Sequence, residues 1–271
     1  AARNRQKNPP TSFTDSTLVE QILAQKSMTP DALVSLPENG EVEVRLGRID
    51  GDSFVPSISV ALFDGLRSAA ARRANRTEFS DLTDVLVPLD TNAAAEAGLA
   101  TAIRSQSLRI VVDTETQTPL EALVKRRSDP AVPIVGPDGV SLRFGNAAEI
   151  QVPRSLPATA PDTFDMSRRK MRHSFLVEDN VPVPFRLDLT QVTTKKGSTG
   201  GRGDVSYEAE LEFDTPALRQ LLQSSAVKSD VAVARTEVKK MVVAMLSFLE
   251  LVMADARSAA SDSHPTLGVH V

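Results

Sequence analysis

Apolar and polar residues alternate with a period of two in short runs from Thr77 to Phe213, and the runs are parted by Pro, Gly, Asn and Asp. That pattern specifies a many-stranded antiparallel sheet and excludes a helical bundle. The expected strands are EFSDLTDVLV, SLRIVVDTE, LEALVKRR, VSLRFGNAAEIQV, SRRKMRHSFLV, PFRLDLTQVTT and DVSYEAELEF, preceded by GEVEVRLGRI from Gly40 to Ile49. Helices are expected at both ends. LVEQILAQ follows Thr17 and Glu20, which are spaced as a capping box. Pro30 suits the first position of PDALVSL, and Val60 to Asn75 carries Leu62, Phe63 and Leu66 at helical spacing. Asp214 or Thr215 caps a helix with Pro216 at its first position, and a long apolar helix runs from Asp230 to Arg257. Residues 1–13 read as a disordered N-terminal tail and 14–271 as a single domain, with no internal repeat.

The polar faces of these strands are sorted by charge. Residues two apart share a face. The first strand presents Glu41, Glu43 and Arg45, and YEAELEF presents Glu208, Glu210 and Glu212. SRRKMRHSF presents Arg168, Lys170, Arg172 and Ser174, and RLDLT presents Arg186, Asp188 and Thr190. Arg109 and Asp113 share a face of SLRIVVD, as do Arg143, Glu149 and Gln151 further on. For one strand alone, a wet outer face is the ordinary explanation. Three carboxylates stacked without a cation repel one another, however, and acidic strands set against basic ones describe the two walls of a binding surface. A closed barrel with the polar set inside satisfies this, provided that helices cover the apolar set outside.

Composition narrows the chemistry. The chain has no cysteine and three histidines, so thiolate metal sites are excluded, a His-rich site is disfavoured, and any metal is expected on oxygen. Clustered glutamates suit Mg²⁺ or Mn²⁺, and clustered Arg and Lys grip phosphate oxygens. Together they point to a metal-bound polyphosphate and to phosphoryl transfer. The net charge of −4 argues against a general polyanion-binding surface. With no tryptophan and one tyrosine, there are few platforms on which bases can stack. No signal peptide is visible, and the longest apolar run, Val242 to Ala254, is too short to span a bilayer and contains Glu250. KKGSTGGRG, Lys195 to Gly203, reads as a hairpin loop; it lacks the ending of a phosphate-cradling loop, and its RGD triplet reads as a chance occurrence.

EVEVRLG and YEAELEF, with RRKMRHSF and FRLDLTQV between them and FDTPALRQLL after, resemble in order and spacing the motifs of the metal-dependent RNA 5′-triphosphatases of mRNA capping, in the fungal and protozoan branch of the triphosphate tunnel metalloenzymes. The resemblance spans residues 36–224. It implies an α+β fold, a closed eight-stranded antiparallel β-barrel with a charged interior on flanking N- and C-terminal helices. The activity implied is removal of the γ-phosphate from the 5′ end of nascent mRNA in the nucleus, with hydrolysis of nucleoside triphosphates by manganese alongside. By position, Glu41, Glu43 and Glu212 would bind Mg²⁺ or Mn²⁺, with Glu210 beside them and Glu208 supporting the same wall. Arg45, Lys170, Arg172 and Arg186 would hold phosphate oxygens, Asp188 would orient one of these cations, and Thr190 is a lesser member. Arg109 fits an arginine on the γ-phosphate, Lys125 a tunnel lysine, and Glu149 the glutamate that positions the attacking water. Asp84 is a looser match. The mechanism expected is direct in-line attack.

Fungal members meet the guanylyltransferase through a segment containing tryptophan. This chain has none, so that mode of meeting a guanylyltransferase partner is not expected, and a monomer is favoured over a homodimer. Two other readings stay open: a tunnel enzyme acting on inorganic tripolyphosphate or a small organic triphosphate, and a non-catalytic β-barrel that binds polyanions. His173, on the apolar side of its strand, reads as structural or surface, and Arg126 and Arg127 as solvated charges. Met241, Met245 and Met253 read as core filler, and Arg72, Arg73 and Arg76 as a basic helix end.

Overall fold

The eight alternating runs are strands that close on themselves. A computed structural model describes residues 10–88, 107–127, 132–152, 164–197, 203–224 and 230–262. In chain order the strands are β1 (Gly40–Asp50), β2 (Ser53–Val55), β3 (Arg76–Pro88), β4 (Ser107–Asp113), β5 (Pro119–Arg127), β6 (Ile134–Val135), β7 (Ser141–Gln151), β8 (Met166–Val177), β9 (Phe185–Lys196) and β10 (Asp204–Phe213). They lie in the order β2-β1-β10-β9-β8-β3-β4-β5-β7-β6, and β1 also pairs with β7. That last pairing closes an eight-stranded antiparallel barrel and leaves only the short β2 and β6 outside the ring.

The register decides what the barrel contains, because residues directly opposite each other face the same side. Glu43 lies opposite Glu212 and Arg45 opposite Glu210. Glu212 in turn faces Arg186, and Glu210 faces Asp188. Lys170 pairs with Leu82 and Arg168 with Asp84, while Lys125 pairs with Glu149. The charged faces therefore share the interior.

The apolar set points outward and is roofed by helices α1 (Ser16–Leu23), α2 (Pro30–Val34), α3 (Val60–Ala71), α4 (Thr215–Gln223) and α5 (Val231–Asp262). Val42, Val44, Leu46, Leu142, Phe144, Leu187, Leu189 and Leu211 are fully buried in one core with Leu18, Ile22, Leu66, Leu218, Met245 and Leu249 of the helices. Each such side chain contributes about 1.5–3 kcal/mol. Met241 and Met253 are buried in the same core. A second cluster, Val85, Leu108, Ile110, Val112, Ala122, Val124 and Val152, lies on the outer wall of β3, β4, β5 and the end of β7. No helix among the described residues is long and apolar enough to cross a membrane.

Several expectations are corrected. The cap of α1 is Asp15, which accepts from the Thr17 N–H, so Thr17 and Glu20 form no capping box. Helix α3 stops at Ala71, because Asn75 N–H donates to the Leu176 carbonyl and joins the sheet instead. Helix α5 reaches Asp262, beyond Arg257. Asp214, and not Thr215, caps α4, and Pro216 is its second residue. The expected tail of residues 1–13 ends in an anchored residue. Phe13 is fully buried, and its N–H donates to Glu250 Oε2 at 2.6 Å. Residues 1–9 lie outside the described residues, as does the RGD triplet in part.

Candidate active site

The barrel interior holds a cavity of about 230 Å³ whose lining is mostly charged. On one wall, β1 supplies Glu41, Glu43 and Arg45, and β10 supplies Glu208, Glu210 and Glu212. The facing positions of β7 are small, Gly145 opposite Glu43 and Ala147 opposite Glu41. Lys125 of β5 therefore reaches past β7. Its Nζ donates to Glu41 Oε2 and lies 3.5 Å from Glu43 Oε2 and 4.0 Å from Glu149 Oε1. Arg45 clamps Glu43 through Nε and Nη2 at 3.0 and 3.1 Å, and its Nη2 is also 2.9 Å from Glu210 Oε1.

The opposite wall is basic. It carries Arg109 on β4, and Arg168, Lys170 and Arg172 on β8. Two buried aspartates hold these cations in place. Asp84, 3% exposed, takes the Lys170 ammonium and lies 3.5 Å from Arg109 Nε. Asp188, with no exposed surface, stands behind the wall, its Oδ2 3.2 Å from Arg172 and 3.1 Å from Arg186. Thr190 Oγ1 accepts from Arg172 Nε at 3.4 Å. Arg109 Nη1 donates to Glu149 Oε1 at 3.2 Å, Arg168 Nη2 to Glu208 Oε1 at 2.7 Å, and Arg186 Nη2 to Glu212 Oε2 at 2.8 Å. Such pairing is obligatory, because an unpaired charge in this interior costs several kcal/mol.

The compensation is uneven, and the uneven places are informative. Burial, helped by Glu41 and Asp188, pushes Glu212 from 4.5 up to about 7, against the pull of Arg186. Burial also raises Glu41, opposed by Lys125 and reinforced by Glu149 and Glu43. Asp84 goes the other way: burial would raise it, yet Lys170 and Arg109 hold it below its usual range. Burial and the neighbouring Arg109 and Arg172 lower Lys170 in spite of Asp84. The acidic wall is thus short of positive charge, and the basic wall is short of negative charge.

That imbalance bears on a metal. Among the described residues no three acidic side chains converge closely enough to enclose an ion as they stand. Lys125 and Arg186 hold Glu41, Glu43 and Glu212 instead. The donor set itself fits a hard divalent cation: it is all oxygen, it sits on two paired strands, and burial raises two of its carboxylates in spite of Lys125 and Arg186.

Every residue assigned a role from sequence lies at this site, Asp188 behind the wall and the others on its surface. Asp84, the loosest match, is central to it. Arg168 and Glu121 also line the cavity, although no role was assigned to them. Alternation with Lys170 signals Arg168, but Glu121 is masked by the inward Leu123 between it and Lys125. His173 lies outside the barrel against the ring of Phe79, with 5.0 Å between centroids. Arg126 is exposed, while the Arg127 side chain lies outside the described residues. Arg72 and Arg73 pair with Asp255, and Arg76 with Glu78.

The fold is similar to solved structures. The Pct1 RNA triphosphatase of S. pombe superposes with a TM-score of 0.62 at 15% identity, covering 92% of this chain and 97% of that one. Pct1 in complex with the Spt5 CTD gives 0.59 at the same identity and coverage. The Mimivirus capping enzyme triphosphatase gives 0.44 at 17% identity, covering 81% of this chain and 100% of that one. No curated protein matches in sequence. The family described as mRNA capping enzyme, beta chain, matches residues 84–250, which take in six of the eight barrel strands, α4 and most of α5. With that match over more than half its length, and a closed tunnel of facing acidic and basic walls, the chain belongs to the mRNA-capping RNA 5′-triphosphatases of the tunnel fold.

Proposed function

We propose that this chain removes the γ-phosphate from 5′-triphosphate RNA by direct in-line attack of water, as one catalytic domain spanning residues 14–271. The observation that carries this reading is the pair of facing walls, one acidic and one basic, within a single closed cavity. Glu41, Glu43 and Glu212 would hold Mg²⁺ or Mn²⁺, which when bound would neutralise charge on the phosphoryl oxygens. Arg109, Lys125, Lys170 and Arg172 bind the non-bridging phosphate oxygens and stabilise the charge that spreads over them in the transition state. Arg45 and Arg186 bind from the acidic side. Asp84 and Asp188 fix the direction of Lys170, Arg109 and Arg172, so that little reorganisation accompanies reaction. Glu149 Oε1, already aligned by Arg109, orients the attacking water and takes its proton. Glu208 and Glu210 hold Arg168 and Arg45. With no cysteine in the chain, a thiol nucleophile is excluded and direct attack is favoured.

Nucleoside triphosphates are proposed as further substrates with manganese. The diphosphate end suits a guanylyltransferase as the next enzyme, in the nucleus, and a monomer is favoured. A partner of the kind seen for Pct1, the Spt5 CTD, is compatible with this placement. The test is γ-phosphate release from triphosphate-ended RNA with Mn²⁺ or Mg²⁺, set against release from tripolyphosphate. Substituting Ala for Glu41, Glu43 or Glu212 should abolish release, and full activity in any one of them would sink the assignment. Preference for tripolyphosphate would favour the small-substrate enzyme.

A further inference from the structure

The tunnel has two ends, and β2 crosses β1 at one of them. Past Arg45 the inner face of β1 continues with Gly47, and β2 folds back across it. A Cβ at residue 47 would stand 2.2 Å from the Val55 carbonyl oxygen and 2.8 Å from the Phe54 ring. Arg143, opposite Arg45 on the same inner face, stacks its guanidinium 4.7 Å from the Phe54 centroid. The strap is fixed at both ends, by the pairing of Arg48, Ile49 and Asp50 with β2 and by the Ile58 N–H, which donates to the Tyr207 carbonyl at 2.9 Å. β2 thus lies across that side of the tunnel, and the opposite mouth, where β1 begins and β10 ends, is the one nearest Glu41 and Glu212.

Beside that mouth lies a groove of about 560 Å³ lined by Glu38, Pro216, Arg219, Gln220, Gln223 and Ser224. Glu38 precedes Glu41 by three residues and Pro216 follows Glu212 by four, so the groove's edges start within roughly 14 Å of the acidic wall. Arg219 is half buried, and its Nε is shielded from solvent without a hydrogen-bond partner. A guanidinium N–H in that state is costly, and a shift of the half-buried side chain towards an anion in the groove would relieve it. The Gln220 and Gln223 amides and the Ser224 hydroxyl add neutral donors suited to ribose hydroxyls and phosphates.

We propose that this groove binds the ribose–phosphate backbone of the RNA beyond its second nucleotide, with Arg219 on a phosphate. This rests on the RNA 5′-triphosphatase reading. Arg219 suits an acidic peptide as well, and Glu38 on the same lining opposes any anion, but the groove adjoins the mouth nearest the acidic wall, and that continuity favours RNA.

The experiment compares γ-phosphate release from a triphosphate dinucleotide with release from a triphosphate oligonucleotide long enough to cross the groove, using the full chain. Arg219→Ala should raise KM for the oligonucleotide about fivefold and leave kcat and the dinucleotide KM unchanged. The slope of log KM against log salt should fall by about 0.7 for the oligonucleotide, and Arg219→Lys should restore it. Gln220 is exposed, so Gln220→Glu, a change the fold tolerates, should raise the oligonucleotide KM by repulsion. Equal KM changes for both substrates, or no change for the oligonucleotide in either variant, would overturn the proposal. An unchanged oligonucleotide KM with lost binding of a polyglutamate peptide would assign the groove to a protein partner instead. If the unsubstituted chain releases no phosphate from either RNA, the enzymatic reading fails and takes the groove with it.

Discussion

Replacing Glu212 by Gln removes one titrating carboxyl from the acidic wall while keeping its shape. In the metal-free protein burial lifts that carboxyl from 4.5 to about 7, so the folded state holds its proton more tightly than the unfolded chain does. The stability this contributes is complete below the unfolded value and is lost as pH rises through about 7. Its side chain is only 16% exposed, so solvent screens the effect little. A shift of this size removes about 1.3 kcal/mol between pH 6 and pH 8, which corresponds to about 3–5 °C in Tm for a domain of this length. The assay is thermal melting in chelator at a series of pH values, read as the difference between the Glu212→Gln and unsubstituted proteins. Taking the difference cancels other titrations. His173, for example, is depressed by burial and by Arg67 and acts in the opposite sense. The Gln variant should gain on the unsubstituted protein as pH rises from 6 to 8, and saturating Mg²⁺ or Mn²⁺ should favour the unsubstituted protein at pH 8. A difference that stays flat with pH in chelator would refute the reasoning, since Glu212 would then be ionised throughout.

Other predictions follow from the packing. Asp188→Ala leaves Arg172 and Arg186 without their buried partner; it should cost about 3 kcal/mol in melting and reduce γ-phosphate release, with Asp188→Asn milder in Tm. Gly47→Ala drives a methyl into the Val55 carbonyl, and about 1–3 kcal/mol of lost stability, with faster proteolysis between residues 51 and 58, is expected. Phe144→Ala empties a fully buried site in the core under the helices and should cost about 3–5 kcal/mol in denaturant unfolding.

The strands were legible because a half-buried strand writes its two faces into alternate letters, as YEAELEF does without interruption. Their charges also pointed to which face was inside, since three glutamates in a column repel one another where no opposing charge lies nearby. The alternation fails on β3, β4 and β5. There Leu82, Val111 and Leu123 line the charged cavity while Val85, Ile110 and Val124 cover the outside, so both faces read as apolar. That is why Asp84 looked marginal and Glu121 was invisible. Closure was not legible either. It depends on β1 finding β7 about a hundred residues away, and no local pattern encodes such a pairing. The roof over Gly47 was hidden because a three-residue strand carries too little periodicity to be seen.

In a barrel turned inside out in this way, odd and even residues of one strand answer to different selection. On β1, positions 41, 43 and 45 face the charged cavity, and positions 42, 44 and 46 face the helices. Substitutions along that strand should therefore sort by parity, the odd ones altering turnover in a protein that accumulates normally and the even ones altering how much protein accumulates while each folded molecule still turns over. Chemistry could then drift in one set of positions without disturbing the other.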